Sequence, residues 1–277
     1  MLHETINYTE DGRVHLTTYV LDVYRRTQGM TRPAMIVLPG GGYEHISTSE
    51  GEPVALTFNQ LGYNAFVLTY SVGDESRWPN PLVEVAWAVK TIREHAEEWQ
   101  IDPNKIATVG FSAGGSLSGI FATHWNNPVV AETLGCAPED IMPNACCVGY
   151  APSDLSLILD MDEAVKAQFV AGGEGAMIAD GTPEASFVNY INETTRPMFV
   201  WHSRTDEVVS AQNAMAVGSK MYELGLPFEL HVFDDGHHGQ SSNNRISHPD
   251  DADRGKSIGM WVPLADMWLR RQWGMNE

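Results

Sequence analysis

Short, nearly continuous apolar runs at 34–38, 65–70, 106–110, 145–150 and 198–201 recur along the chain, with helix-length stretches between them. This alternation constrains the fold more than any other feature. Strands whose apolar residues are continuous must be covered on both faces, and alternation with helices gives a mostly parallel central sheet with helices on either side, an α/β fold. The run 34–38, punctuated by Pro33 and Pro39, is the clearest central strand. Around it the pattern predicts a strand pair near 14–23, a helix at 53–61 and a last strand at 228–233. Between residues 81 and 99, Leu82, Val85, Ala86, Val89 and Ile92 recur at helical spacing and form one apolar stripe. Asp102 and Pro103 then break the chain before the strand at 106–110. A small-residue helix follows at 113–125. A further helix at 211–224 stops at Gly225, and a final helix from about 262 docks through Leu264, Trp268 and Leu269. The stretch 153–195, with Gly172, Gly173 and Gly175, reads as a small lid insert in a single domain spanning 1–277.

Composition narrows the class. The chain has 277 residues, 43% of them hydrophobic and 19% charged, enough to bury a large core. Its net charge of −19 excludes a nucleic-acid binder, which needs clustered Lys and Arg to neutralise phosphate. No apolar run approaches the roughly 18 residues of a membrane span, so no membrane partner is expected. The first residues, MLHETINYTEDGR, contain no apolar leader, and Cys136, Cys146 and Cys147 form neither a C-x-x-C pair nor an even disulfide set. A reducing, cytoplasmic setting with buried thiols is the expectation.

The sharpest chemical signal is Gly110-Phe111-Ser112-Ala113-Gly114, between a predicted strand and a predicted helix. A nucleophilic hydroxyl has to stand on a tight strand-to-helix turn, and flanking glycines let the backbone close that turn. Taken alone the pattern also fits a small-residue packing turn. Pro39-Gly40-Gly41-Gly42-Tyr43 directly follows the first central strand, where backbone N–H groups could face a developing oxyanion. A phosphate-binding loop would need Gly-Lys-Ser/Thr, and this one continues Tyr43-Glu44-His45. The N–H of Ala113, next after the nucleophile, completes such a hole.

A nucleophilic serine needs a base and an acid to orient it, in the chain order Ser, acid, His. Asp206 lies in the loop leaving the strand at 198–201, with Asp154 as a substitute, and His237 and His238 follow the last strand. His231 reads as a sheet-face residue and His202 as a structural hydrogen-bonding group. Asp234, Asp235, His237 and His238 are too contiguous to arrange a tetrahedral metal site, so neither metal nor cofactor is expected.

With these residues in place, the chain resembles the α/β-hydrolase superfamily, and more closely its bacterial hormone-sensitive-lipase-like and acetyl-xylan-esterase-like esterases. The resemblance rests on PGGGY (39–43), EGEPVA (50–55), GFSAGG (110–115), HSRTDEVV (202–209) and GHHG (236–239), in that order over about residues 15–240. It implies Ser112 as nucleophile, Asp206 as acid and, by the third position of G-x-H-G, His238 rather than His237 as base. It also implies Gly41 and Gly42 as oxyanion donors with Ala113. Pro39 stands where many relatives carry His, as in the subgroup acting on short-acyl and carbohydrate esters. The implied activity is a serine carboxylesterase acting through an acyl-enzyme on small-molecule esters, above all acetyl esters of sugars or xylo-oligosaccharides. A prolyl-oligopeptidase-like peptidase would need an extra propeller for which this length leaves no room. A non-catalytic ligand-binding member would not be expected to keep nucleophile, acid and base all filled. Homo-oligomer and monomer are equally compatible with the tryptophan-rich C-terminal helix and the 241–256 loop.

Overall fold

The middle strand β3 (Arg32–Leu38) feeds two separate cores: Ala34, Ile36 and Leu38 belong to one, Met35 and Val37 to the other. Successive side chains of a strand point to opposite faces, so a continuous apolar run leaves no face for water. The computed structural model describes residues 1–158, 186–249 and 257–275. Among them β1 (Thr5–Asn7), β2 (His15–Tyr19), β3, β4 (Asn64–Thr69), β5 (Ile101–Phe111), β6 (Ala145–Gly149), β7 (Met198–Ser203) and β8 (Phe228–Phe233) form one sheet in the order β1-β2-β4-β3-β5-β6-β7-β8. The strands from β3 to β8 all run parallel, while β1 and β2 add an antiparallel edge beyond β4.

Among the described residues the α-helices are α1 (Glu52–Gln60), α2 (Asn80–Glu94), α3 (Ala113–His124), α4 (Pro128–Leu134), α5 (Pro138–Ile141), α6 (Leu155–Ile158), α7 (Gln212–Glu223) and α8 (Trp261–Gln272). Val54, Ala55 and Phe58 of α1 and Trp261, Ala265, Trp268 and Leu269 of α8 fill the core on the Met35 face. The opposite core is built by α2 (Leu82, Val85, Val89, Ile92), α3 (Leu117, Ile120, Phe121) and α7 (Ala214, Val217, Met221). At roughly 25 cal/mol per Å² of apolar area removed from water, these two layers supply the dominant favourable contribution to the fold.

Three expectations need correction. The early strand pair is not confined to 14–23: its members are β1 and β2, joined by a turn in which the Gly12 N–H donates to the Thr9 carbonyl. Asp102 and Pro103 do not delay β5, which starts at Ile101 and pairs with Arg32 across a register shift between Arg32 and Ala34. Such an irregularity accommodates Pro33, which has no N–H to give to the ladder. Cys136 is only part-buried, whereas Cys146 and Cys147 are fully buried in β6, and all three are free thiols. Most of the expected lid insert lies outside the described residues.

Candidate active site

The parallel strands deliver their carboxyl ends to one edge of the sheet, where loops of such folds carry ligand sites. Ser112 stands there between β5 and α3 with φ +51° and ψ −119°. A non-glycine residue in this region costs on the order of 1–3 kcal/mol and persists only where the surroundings hold it. Its neighbours do so. A Cβ at Gly110 would sit 2.0 Å from the Gly114 carbonyl, and one at Gly114 would sit 2.0 Å from the Leu38 carbonyl. Only glycine at both positions lets α3 close onto β3 and β5, and the Ser112 N–H donates to the Gly149 carbonyl at 3.0 Å. Ser112 is left 7% exposed with its hydroxyl at the mouth of a cavity.

Two residues far away in the chain complete the arrangement. His238 Nε2 is 2.9 Å from Ser112 Oγ, and His238 Nδ1 is 2.8 Å from Asp206 Oδ2. Because a carboxylate oxygen can only accept, Nδ1 carries the proton, and Nε2 is free to accept the Ser112 O–H. The other carboxylate oxygen, Asp206 Oδ1, accepts the N–H groups of Val208 and Val209 at 2.8 and 2.9 Å. Burial would raise the Asp206 carboxyl, but hydrogen bonds from His202 and His238 outweigh it and hold it well below the usual carboxylate range. The loops bearing acid and base are tied together. Ser203 Oγ and Thr205 Oγ1 both donate to the Gly236 carbonyl, at 2.6 and 2.8 Å.

The alternatives are disposed of by position. His237 is exposed and donates from Nδ1 to the carbonyl of His238 at 2.6 Å, so it does not reach Ser112. Asp154 caps its own turn, accepting from the Ser156 N–H and hydroxyl. His231 lies on β8 beside Glu229 and Phe199. His202 is buried with Nε2 donating to the Val209 carbonyl at 2.8 Å and lying 3.3 Å from Asp206 Oδ2. It therefore supports the acid from behind.

The glycine loop after β3 faces the same cavity, about 270 Å³ in volume, through Gly41 and Gly42. Gly41 has φ +125°, and its carbonyl accepts the Glu44 and His45 N–H groups, which leaves the loop turned toward Ser112. Among the described residues no protein acceptor engages the amides of Gly41, Gly42 or Ala113. Ala113 itself is fully buried and does not line the cavity; what it offers is a backbone N–H at the first turn of α3, where the helix dipole favours negative charge. The remaining lining residues are Glu44, His45, Ser47, Glu50 and Gly239, with Val208 as the one aliphatic side chain among the described lining groups. Motif reading includes Glu50 in EGEPVA without giving it a role and does not single out Tyr150, yet both are buried beside the candidate site. Their signal in the sequence is weak because their hydrogen-bond partners lie far away in the chain. A hydroxyl relayed through imidazole to a buried carboxylate, beside free backbone amides, can attack a carbonyl and steady the resulting oxyanion.

Comparison with known proteins identifies the family and the fold. Residues 21–221 match the BD-FAE family. The chain is similar to endo-1,4-beta-xylanase B of Butyrivibrio fibrisolvens, 30% identical over 233 residues that cover 81% of this chain and 35% of the relative. It is also similar to the acetylxylan esterase of Xylanibacter ruminicola, 26% identical over 242 residues covering 85% of this chain and 45% of the relative. The chain thus spans less than half the length of either curated relative. Among solved structures, MGS-M1, an alpha/beta hydrolase from a Medee basin deep-sea metagenome library, is 30% identical with a TM-score of 0.79, covering 99% of both chains. By its sequence and by its sheet, the chain is a member of the BD-FAE family with the α/β-hydrolase fold.

Proposed function

We propose that the protein is a serine carboxylesterase that hydrolyses short-chain, principally acetyl, esters of sugars or xylo-oligosaccharides. The observation that carries this reading is the continuous relay from Ser112 through His238 to Asp206, at 2.9 and 2.8 Å. Ser112 Oγ attacks the ester carbonyl while His238 Nε2 takes its proton. Gly41, Gly42 and Ala113 donate N–H groups to the oxyanion. His238 then protonates the leaving alcohol, and a water activated by the same imidazole releases the acid and restores Ser112. Asp206 holds the imidazole tautomer and stabilises its cation.

The size of the cavity supports the substrate class. A volume of about 270 Å³ suits a small acyl group better than a long lipid chain, and Glu44, His45 and Ser47 at its wall offer hydrogen-bonding partners to a hydroxylated alcohol. The names of the relatives, an acetylxylan esterase and a xylanase, support the same class. Among the described residues no helix is long and apolar enough to cross a membrane. The test is steady-state hydrolysis of p-nitrophenyl esters from acetate to octanoate, beside acetylated xylo-oligosaccharide, for wild type and Ser112→Ala. Activity that falls steeply beyond butyrate, releases acetate from the sugar and vanishes in the variant supports the reading. Hydrolysis that persists in Ser112→Ala, or no hydrolysis of any ester, contradicts it.

A further inference from the structure

Glu50 is 3% exposed, lines the cavity, and takes no part in the proton relay. Its Oε2 accepts the N–H of Gly40 at 2.7 Å, at the root of the loop that carries Gly41 and Gly42. Its Oε1 accepts the Tyr150 O–H at 2.5 Å, and the same phenol oxygen accepts the Ser241 N–H at 3.0 Å. Ser241 lies three residues past His238, and its hydroxyl donates to the Ser49 carbonyl at 2.7 Å, which closes a ring back to the residue before Glu50. The Tyr150 ring stands edge-on to His238 with centroids 5.0 Å apart. Tyr150 and Ser241 hold φ values of +34° and +50°, strained backbone that needs anchoring from outside its own turn.

Electrostatics runs against this placement. A carboxyl beside a site where negative charge develops would, by charge alone, oppose the reaction. Its retention there calls for a geometric reason. We infer that Glu50 is a positioning residue that locks the oxyanion loop to the His238 loop through Gly40 on one side and Tyr150–Ser241 on the other. This inference rests on the esterase reading above. Loss of the lock lets the Gly41 and Gly42 amides drift from the oxyanion position, and a misplacement near 1 Å costs up to about 100-fold in rate.

The test uses Glu50→Gln, which keeps size but can satisfy only one of the two donors with its remaining oxygen, and Tyr150→Phe, which keeps the Gly40 bond and frees Ser241. Turnover of p-nitrophenyl acetate is measured together with inhibition by a trifluoromethyl ketone, whose hemiketal with Ser112 sets an oxyanion in the hole. In Glu50→Gln, kcat is expected to fall about 10- to 100-fold at near-constant KM, with ketone affinity weakening in parallel. Tyr150→Phe is expected to lose less, and the double variant less than the product of the two losses, because both act through one unit. A kcat that rises or stays constant in Glu50→Gln, or a change in KM alone, overturns the inference. Should that variant not fold, unchanged kcat and ketone affinity in Tyr150→Phe overturn it instead. A wild type that turns over no ester and binds no ketone overturns the esterase reading as well, whereas an active wild type with indifferent variants removes only the role of Glu50.

Discussion

Two glutamates, Glu50 and Glu84, are each only 3% exposed, and each accepts two hydrogen bonds from residues just past central strands. Glu84, on α2, takes both of its bonds from one residue, the N–H and hydroxyl of Ser71 at 2.7 and 2.5 Å, just past β4. It borders a second cavity of about 380 Å³ together with Tyr8, Arg13 and Glu75. Glu50 instead joins partners 10 and 100 positions away in the chain, and through Tyr150 reaches the loop of the base. The backbone differs accordingly. Tyr43, Ser112, Tyr150, Ser241 and Asn243 all have positive φ in loops of the candidate site, and Gln100 is the one other such non-glycine residue among those described. A buried acid by itself does not mark a site; an acid that fixes several strained loops against one another does.

The largest expected effect separates the two regions completely. Ser112→Ala should lower kcat by about 10⁶-fold while leaving the Glu84 region and the melting transition intact, as steady-state kinetics and calorimetry would show. His238→Ala should be nearly as damaging and His237→Ala much milder; the reverse order would move the base to His237. Asp206→Asn should cost about 10⁴-fold in kcat by disturbing the imidazole tautomer. It should also alter the acid limb of stability. The folded Asp206 carboxyl lies below its ordinary value of 3.8, so its contribution is present above that pH and is lost as pH falls through the folded value. Urea unfolding of Asp206→Asn across that range should lack this loss.

Smaller effects sharpen the contrast between the glutamates. Glu84→Gln should leave kcat and KM unchanged where Glu50→Gln lowers kcat, and a loss of turnover at Glu84 would break the distinction. Its signature is in stability. Burial, partly offset by the Ser71 hydrogen bonds, raises the folded Glu84 carboxyl above its ordinary 4.5. From that pH upward the unfolded chain gives up the proton first, so wild-type stability falls as pH rises through the raised folded value and is flat beyond it. Glu84→Gln should remove that slope, which denaturant melts at successive pH values would detect.

Much of this was legible in the sequence where function is written in local chemistry. Gly110 and Gly114 disclose the turn at Ser112 because a side chain at either would collide with backbone, and Asp206 and His238 follow the strands that the order Ser, acid, His requires. Five apolar runs locate β3 to β7, five of the six parallel strands, for the same reason: burial on both faces leaves a continuous pattern, which the partly exposed β8 lacks. Asp102 and Pro103 break regular structure in isolation, so the start of β5 at Ile101 is not legible locally; only pairing with Arg32 past the irregularity at Pro33 admits them to the sheet. Glu50 stands in the EGEPVA motif, but its neighbours in sequence carry no hint of Gly40, Tyr150 and Ser241 converging on it. Long-range contacts to backbone amides leave no spacing to read.

The most direct measurement is reaction of the intact protein with a fluorophosphonate, followed by peptide mapping of the adduct. One label per chain on the peptide bearing Ser112, absent in Ser112→Ala and strongly slowed in His238→Ala, is the expected result. Absence of labelling in the folded wild type, or a label on another serine, would contradict the assignment of Ser112, His238 and Asp206 as the reacting centre.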